Sequence, residues 1–399
     1  MPDYPEKQAI ISGIGISQIG RRTRIADVDL TMSASRQAIV DAGLQPSDID
    51  GIATLGETPI DRVAAQLGII PRYTGGHMGP YGLLTPVTSA FAAVAEGRAR
   101  HVLVYRTVRM MGGAIVSSEA PASSEQSRPG SAEQRPPDGP ERHPDVMGDM
   151  APLLAHHAYS AANWLAMHCQ RHMHLYGTTK EQLGWLAVSS RRHAARNPLA
   201  VFRDPMSMDD YMAARRVSTP FGLYDCDVPI DGSIAFVVSA VDHAGDCPNL
   251  PIRIEAMGGS SGPGAWVNRP DYPKMASMDA AADMWSRTDL TVADLDIAEL
   301  YDGFTFLTFA WLEALGICGD GEAGPFVEGG SRIALDGQLP LNTYGGQLSA
   351  GRMHGYWVLH EACVQLRGAA GERQVAVQPE VAVVSNGGGP IAGCLLLTR

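Results

Sequence analysis

No stretch of this chain reaches the about 18 consecutive apolar residues that a membrane-crossing helix needs, so no membrane span is expected. Basic residues are in the minority, 31 against 43 acidic ones for a net charge of −12, and no basic cluster forms a nucleic-acid footprint. The six cysteines, Cys169, Cys226, Cys247, Cys318, Cys363 and Cys394, are widely scattered without a C-x-x-C pair. In a chain of this length they read as buried thiols of a reducing compartment rather than a disulfide framework. The first eight residues lack the basic and long apolar parts of a signal peptide, so the expectation is a cytoplasmic protein. Gly13 and Gly15 are followed by no third glycine three residues on, which removes the dinucleotide fingerprint. No Gly-x-Ser-x-Gly elbow is present, which weighs against a serine thioesterase or transferase.

What is present is apolar and ordered in a recurring way. At 399 residues and 45% apolar content, the chain exceeds one typical domain and can fill sizeable cores. Strand-like runs (8–16, 51–55, 101–105, 233–240, 252–256) alternate with helical ones (30–42, 85–97, 178–196), and Thr179 is placed to cap the last. The alternation predicts an α/β fold with a largely parallel sheet. Residues 117–145 are rich in Ser, Pro, Glu, Gln and Arg, with almost nothing apolar, and read as a solvated loop. His168 and His172 lie four apart on one helical face. No further ligand completes a metal set at a convincing spacing, so they read as helix-surface histidines and no metal is expected.

A shift of 246 residues lays 281–296 on 35–50. Leu290 then meets Leu44, Asp294 meets Asp48, Leu295 meets Ile49 and Asp296 meets Asp50. A strand, a helix, this turn and another strand recur in order, which predicts duplicated α/β halves. The boundary is expected near residue 248. The first half, 1–248, then carries a loop insertion at about 110–195, and the second runs over 249–399. A site is expected where the halves meet.

The stretch 342–367 has the strongest chemical character. Asn342, Tyr344, Arg352 and His354 are interleaved with Gly345, Gly346, Gly351 and Gly355, and feed an apolar helix with a stripe through 358 or 359, 362 and 366. Glycines let backbone approach a ligand closely, and a helix N-terminus collects partial positive charge. The run is therefore suited to an anion or enolate.

Asn197-Pro198, Asp225-Cys226-Asp227, Asp231-Gly232, Glu299-Leu300-Tyr301-Asp302-Gly303-Phe304, Asn342-x-x-Gly345-Gly346 and Asn386-Gly387-Gly388-Gly389 together resemble the thiolase superfamily, in its sterol-carrier and lipid-transfer branch. The resemblance spans essentially the whole chain and implies two βαβαβαββ halves in a five-layered α/β structure, usually a homodimer. The departures carry the functional reading. No cysteine stands near 79–82, where the family's nucleophile falls; Arg352 and Tyr301 replace two histidines; and Ser385-Asn386 stands where many members have a second cysteine. Thioester transfer needs a thiolate, which excludes ordinary thiolase chemistry.

The pattern is most similar to the thiolase-like aldolases that remove steroid side chains. That resemblance implies retro-aldol cleavage of a β-hydroxyacyl-CoA, a 17-hydroxy steroid C22-oyl-CoA giving a 17-keto steroid and propionyl-CoA. It also implies no cofactor beyond the acyl-CoA substrate, and a small zinc-ribbon/OB-fold partner besides self-dimerisation. Tyr301 and Tyr344 are the expected acid/base pair, with Arg352 and His354 favouring a phenolate and His354 a third candidate catalytic residue. Backbone N–H groups at Gly387 and Gly388 are expected to hold the enolate oxygen, with Asn342 as a further donor and Arg352 toward substrate or CoA. The competing expectation is an acyl-CoA or lipid-binding subunit of the same fold that has lost its chemistry.

Overall fold

The computed structural model describes residues 4–111, 153–261 and 269–399; the polar run 117–145 lies outside the described residues. The chain forms β1 (Ala9–Ile16), α1 (Asp27–Asp41), β2 (Gly51–Thr54), α2 (Ile60–Leu67), β3 (Tyr73–Gly75), α3 (Thr85–Ala95) and β4 (His101–Arg109). After residue 152 come α4 (Ala161–Tyr176), α5 (Lys180–Ala195) and β5 (Asp231–Ala240). The Thr179 hydroxyl accepts from Gln182 N at 3.2 Å, the expected cap of α5. Then follow β6 (Ile252–Ser261), α6 (Ala276–Trp285), β7 (Ile297–Glu299), α7 (Thr305–Ala314), α8 (Tyr356–Leu366), β8 (Val381–Gly387) and β9 (Ile391–Thr398).

The nine strands share one sheet in the order β3-β2-β4-β5-β1-β6-β9-β8-β7. Its middle is the antiparallel contact of β1 with β6, at Ile10↔Arg253 and Ile11↔Ile252. Outward from there the halves run alike. β5 beside β1 and β9 beside β6 are antiparallel, as are β4 beside β5 and β8 beside β9. β2 beside β4 and β7 beside β8 are parallel. The third strand of the first half, β3, is reduced in the second to one parallel bridge, Ala298↔Leu341. The expected duplication is thus visible in the strand order, with one strand lost. The expectation of a largely parallel sheet is corrected: among the described strands only β2–β3, β2–β4 and β7–β8 run parallel. Each half closes on an antiparallel strand, and the halves join antiparallel, so crossover helices account for only part of the pairing.

Alternate strand residues point to opposite faces, and this divides the interior into three cores. Leu103, Tyr105, Ala235 and Val237 pack under α1 and α2. Val383, Cys394 and Leu396 pack against α6 and α7. Val102, Val104, Phe236, Val384, Leu395 and Leu397 all face a middle layer containing α3 and α8. The sequence α-β-α-β-α gives five layers. Every residue of α8 is buried, so the one-sided stripe expected there is corrected to a helix enclosed on all faces. His168 and His172 are likewise buried rather than on a helix surface; His172 bonds Glu313 at 3.0 Å and Thr178 at 2.9 Å.

The strand glycines owe their place to helix packing. A Cβ on Gly15 would lie 2.2 Å from the Ala34 carbonyl oxygen and 2.7 Å from Ala38 N. In the second half a Cβ on Gly258 would lie 2.0 Å from the Ala280 oxygen and 2.5 Å from Met284 N. Ala34 and Ala280, like Ala38 and Met284, are 246 residues apart, so the same close approach of helix to strand occurs twice. Gly15→Ala and Gly258→Ala are each predicted to cost about 1–3 kcal/mol by forcing helix and strand apart. Urea unfolding checks this, and an unchanged midpoint for either variant would contradict the packing account.

Candidate active site

The seam between the halves gathers three segments. One is the turn after β7 with Tyr301 and Asp302, the second is the loop 342–355 entering α8, and the third is Asp225-Cys226-Asp227 before β5. Asp225 is fully buried and accepts from Tyr211 Oη, Gly222 N, Thr305 Oγ1 and the Lys180 ammonium, which fixes the third segment. Asp302 fixes the loop: its carboxylate accepts from Gln347 N at 2.9 Å and Leu348 N at 3.4 Å. Behind it Glu299 accepts from Thr343 N and Oγ1 at 3.0 and 2.6 Å, and Thr343 Oγ1 also reaches Glu361 at 3.0 Å. Arg373 pairs with both oxygens of Glu361 from the far side. Asn342 stands at φ +50° with its side-chain oxygen accepting from Leu300 N at 2.7 Å.

These anchors bring the two sequence-predicted tyrosines into one electrostatic environment. Tyr301 is nearly enclosed, its main-chain N–H held by Ser385 Oγ at 2.9 Å. Tyr344 is fully buried and stacked on Trp357, ring centroids 5.2 Å apart. Its hydroxyl has no hydrogen-bond partner among the described residues. Both phenols are pushed above the ordinary tyrosine range. For Tyr301, burial and then the Asp227 carboxylate outweigh Arg352. For Tyr344, burial comes first, followed by the charges of Asp302, Glu299 and Glu361. The expectation that Arg352 and His354 lower a phenol toward phenolate is therefore corrected. Arg352 spends its charge on Asp227, Nη1 to Oδ1 at 3.2 Å, and His354 is held neutral.

The group poised near neutrality is a carboxylate that the sequence reading did not place in the site. Burial raises Asp227 to about 7 despite Arg352, while burial partly offset by main-chain N–H groups raises Asp302 to about 6. Asp227 was legible only as part of the Asp-Cys-Asp motif. Its partner lies 125 residues away, which no local pattern announces.

Of the second sequence-predicted cradle, one N–H is taken up by the chain itself. Gly388 N–H donates to the Ile391 carbonyl at 3.0 Å, closing the β8–β9 hairpin. Gly387 ends β8 opposite Ala392, its carbonyl accepting from Trp311 Nε1 at 3.1 Å. These glycines make a turn, and the Gly388 N–H is not free for an enolate. Asn342 is held through its side-chain oxygen by Leu300 N, and its carbonyl lies 3.3 Å from His193 Nδ1.

No sulfur nucleophile replaces the missing one. Burial raises all six thiols, Cys226, Cys318 and Cys363 to about 12. The positions of the two family cysteines are instead tied together by Asn386. Its Oδ1 accepts from Leu83 N at 2.8 Å, and its Nδ2 donates to the carbonyls of Tyr81 and Gly393. A neutral amide holds the seam where thiols would react.

Comparison with known proteins agrees with this geometry. Residues 259–395 match the family model described as thiolase C-terminal domain-like. The chain is 32% identical over 401 residues to a 17-hydroxy-3-oxo-4-pregnene-20-carboxyl-CoA lyase of Mycobacterium tuberculosis, covering 98% of this chain and 99% of the relative. It is 32% identical to a steroid side-chain-cleaving aldolase of Thermomonospora curvata, covering 97% of each. Among solved structures, an Ltp2-ChsH2(DUF35) aldolase superposes with a TM-score of 0.84 at 30% identity over 99% of both chains. Among the described residues, no helix is long and apolar enough to cross a membrane. Sequence and fold together place the chain in the thiolase superfamily, within its family of thiolase-like steroid side-chain-cleaving aldolases.

Proposed function

We propose that this chain cleaves a β-hydroxyacyl-CoA by a retro-aldol reaction, on a 17-hydroxy steroid C22-oyl-CoA, releasing a 17-keto steroid and propionyl-CoA. The observation that carries this reading is a seam with two neutral phenols and a near-neutral carboxylate, but no activated thiol. Asp227 takes the proton of the β-hydroxyl. The Cα–Cβ bond then breaks with its electrons passing to the thioester carbonyl, and a phenol protonates the enolate carbon. The proton on Asp227 returns to the phenol, so the site is reset without a cofactor. Phenols at rest in their protonated form suit the donor half of this cycle, and a carboxylate ionising near neutral pH suits the base half. Arg352 holds the ionised form of Asp227. The same reading includes self-association and a small partner protein of the zinc-ribbon/OB-fold kind, in line with the partner named in the solved neighbour.

Tyr301→Phe and Tyr344→Phe are each predicted to lower kcat at least about a hundredfold, the usual scale of general acid–base catalysis. Ketone release from the steroid thioester measures this. Near-normal turnover by both variants would return the tyrosines to a packing role, while a wild-type chain that releases no ketone would leave a binding subunit as the better description.

The pH dependence separates Asp227 from the phenols. Asp227 is the base only when ionised, so kcat/KM is predicted to rise with pH through about 7 and then level. Asp227→Asn should remove that limb along with most of the activity. Because the raised pKa means that ionisation disfavours the native state above the ordinary carboxylate range, the substitution removes a destabilising term that is fully present at about pH 8. The variant's melting temperature there should equal or exceed that of the wild type. An intact rising limb in Asp227→Asn would exclude this residue as the base.

A further inference from the structure

One cation near the seam has no part in the scheme above. Arg106 on β4 is buried, and its Nη2 lies 2.8 Å from His354 Nδ1 and 2.7 Å from Glu57 Oε1. The same nitrogen thus bridges a carboxylate and an imidazole whose positions are 297 residues apart in the chain. His354 is itself tightly set: it stands at φ +52°, and its main-chain N–H donates to Gln347 Oε1 at 3.1 Å. That glutamine is the residue whose N–H is held by Asp302. The ring of His354 is therefore aimed by the same loop that carries Tyr344.

A guanidinium has five donors and no acceptor, and it stays protonated in proteins. The short contact to Nδ1 can form only if Nδ1 offers a lone pair. The neutral ring then carries its one proton on Nε2. An imidazolium would set an N–H against the Arg106 N–H across 2.8 Å, so protonation would break the contact.

We propose that Arg106, anchored by Glu57, is a positioning residue that locks His354 as a neutral imidazole with its proton on Nε2, and that this N–H is a donor to the substrate's thioester oxygen. The assignment rests on the retro-aldol reading for its substrate, but its tautomer part stands on the geometry alone.

The surrounding charges act in the same direction. Arg106 from β4 and Arg352 from the histidine's own loop both oppose a positive ring, while Glu57 and Asp227 are each engaged with one of those arginines. Tyr356, at the start of α8, faces Arg106 as a neutral phenol raised by burial. Burial followed by the two arginines brings His354 down to about 3. A donor that cannot ionise in the working range offers the same hydrogen bond at every pH, and it is already oriented when negative charge develops on the oxygen.

The tautomer can be read without any turnover. Long-range 1H–15N spectra of the full chain labelled in histidine, with the His354 signal assigned by its loss in His354→Gln, should show Nδ1 unprotonated and Nε2 protonated. The signal should not move between about pH 5.5 and 8.5, where an unperturbed histidine titrates. Arg106→Met should release the tautomer, so that Nδ1 becomes partly protonated; an unchanged Nε2-only signal in that variant overturns the positioning role. A wild-type ring with its proton on Nδ1, or one that titrates there, overturns the lock whether or not the variant folds.

The donor role is tested separately. His354→Ala should lose about a hundredfold in kcat, and His354→Gln, which keeps an N–H donor, should lose about tenfold or less. Equal losses in both variants, or no loss in His354→Ala, overturn the donor assignment. A wild-type chain that cleaves no steroid thioester but shows the locked tautomer would refute the substrate reading and leave the lock standing.

Discussion

The Asp302 carboxylate accepts the N–H groups of Gln347 and Leu348 from a fully enclosed position, and the geometry of the seam depends on that clamp. It joins the turn after β7 to the loop before α8. Tyr301 stands next to it in sequence, and Tyr344 and His354 stand on the loop it holds. The fit is close enough that a Cβ on Gly346 would lie 2.0 Å from Asp302 Oδ2, and Gly346 also sits at φ +62°. Both requirements select glycine. Glu299 repeats the device one step deeper through Thr343, so two successive acids in one strand end fix two successive stretches of the loop. Buried acids of this kind are costly unless hydrogen-bonded, and here main-chain N–H groups supply the bonds.

The same burial decides the chemistry. Moving a titratable group out of water favours its neutral form, and at this seam that applies to thiols, phenols and imidazole alike. For a thiol the result is loss of the nucleophile, because the thiolate is the reactive form. For a phenol the neutral form is the one that donates a proton or a hydrogen bond, so burial keeps it in a useful state. One enclosed seam can therefore suit different chemistries according to the side chains that line it. Asn386 shows how this is consolidated: the space between the former cysteine positions is filled by an amide with three hydrogen bonds.

How much of this was legible in the sequence follows from the range over which each signal acts. The duplication was readable because a turn and a helix recur at a fixed shift, and strand order bears it out down to equivalent contacts at Gly15 and Gly258. The direction of the strands was not, since periodicity distinguishes a strand from a helix but not one neighbour from another. Tyr301 and Tyr344 could be singled out because they stand in recognisable motifs. Asp227 with Arg352, and Glu57 with Arg106 and His354, were missed as sets because each is assembled across the seam from distant segments. Gly388 was overread: a positive φ signals a tight backbone, and here the tightness puts its N–H into a hairpin.

Arg352 and Arg106 at this seam each pair with one acid. Arg352 is taken by Asp227 and Arg106 by Glu57, so neither acts as a free cation toward a phenol. Had either been unpaired, it would have favoured phenolate and a thioester enolate at rest alike, and the ground state would have gained as much as the transition state. Pairing sets each positive charge against an acid, so that in the proposed reaction the groups that donate to the substrate are neutral ones. Such donors gain strength only as negative charge develops on the thioester oxygen, which is the condition for lowering a barrier rather than tightening binding. In a water-poor seam that differential is larger than in solvent, because the dipoles are already oriented and no solvent has to rearrange.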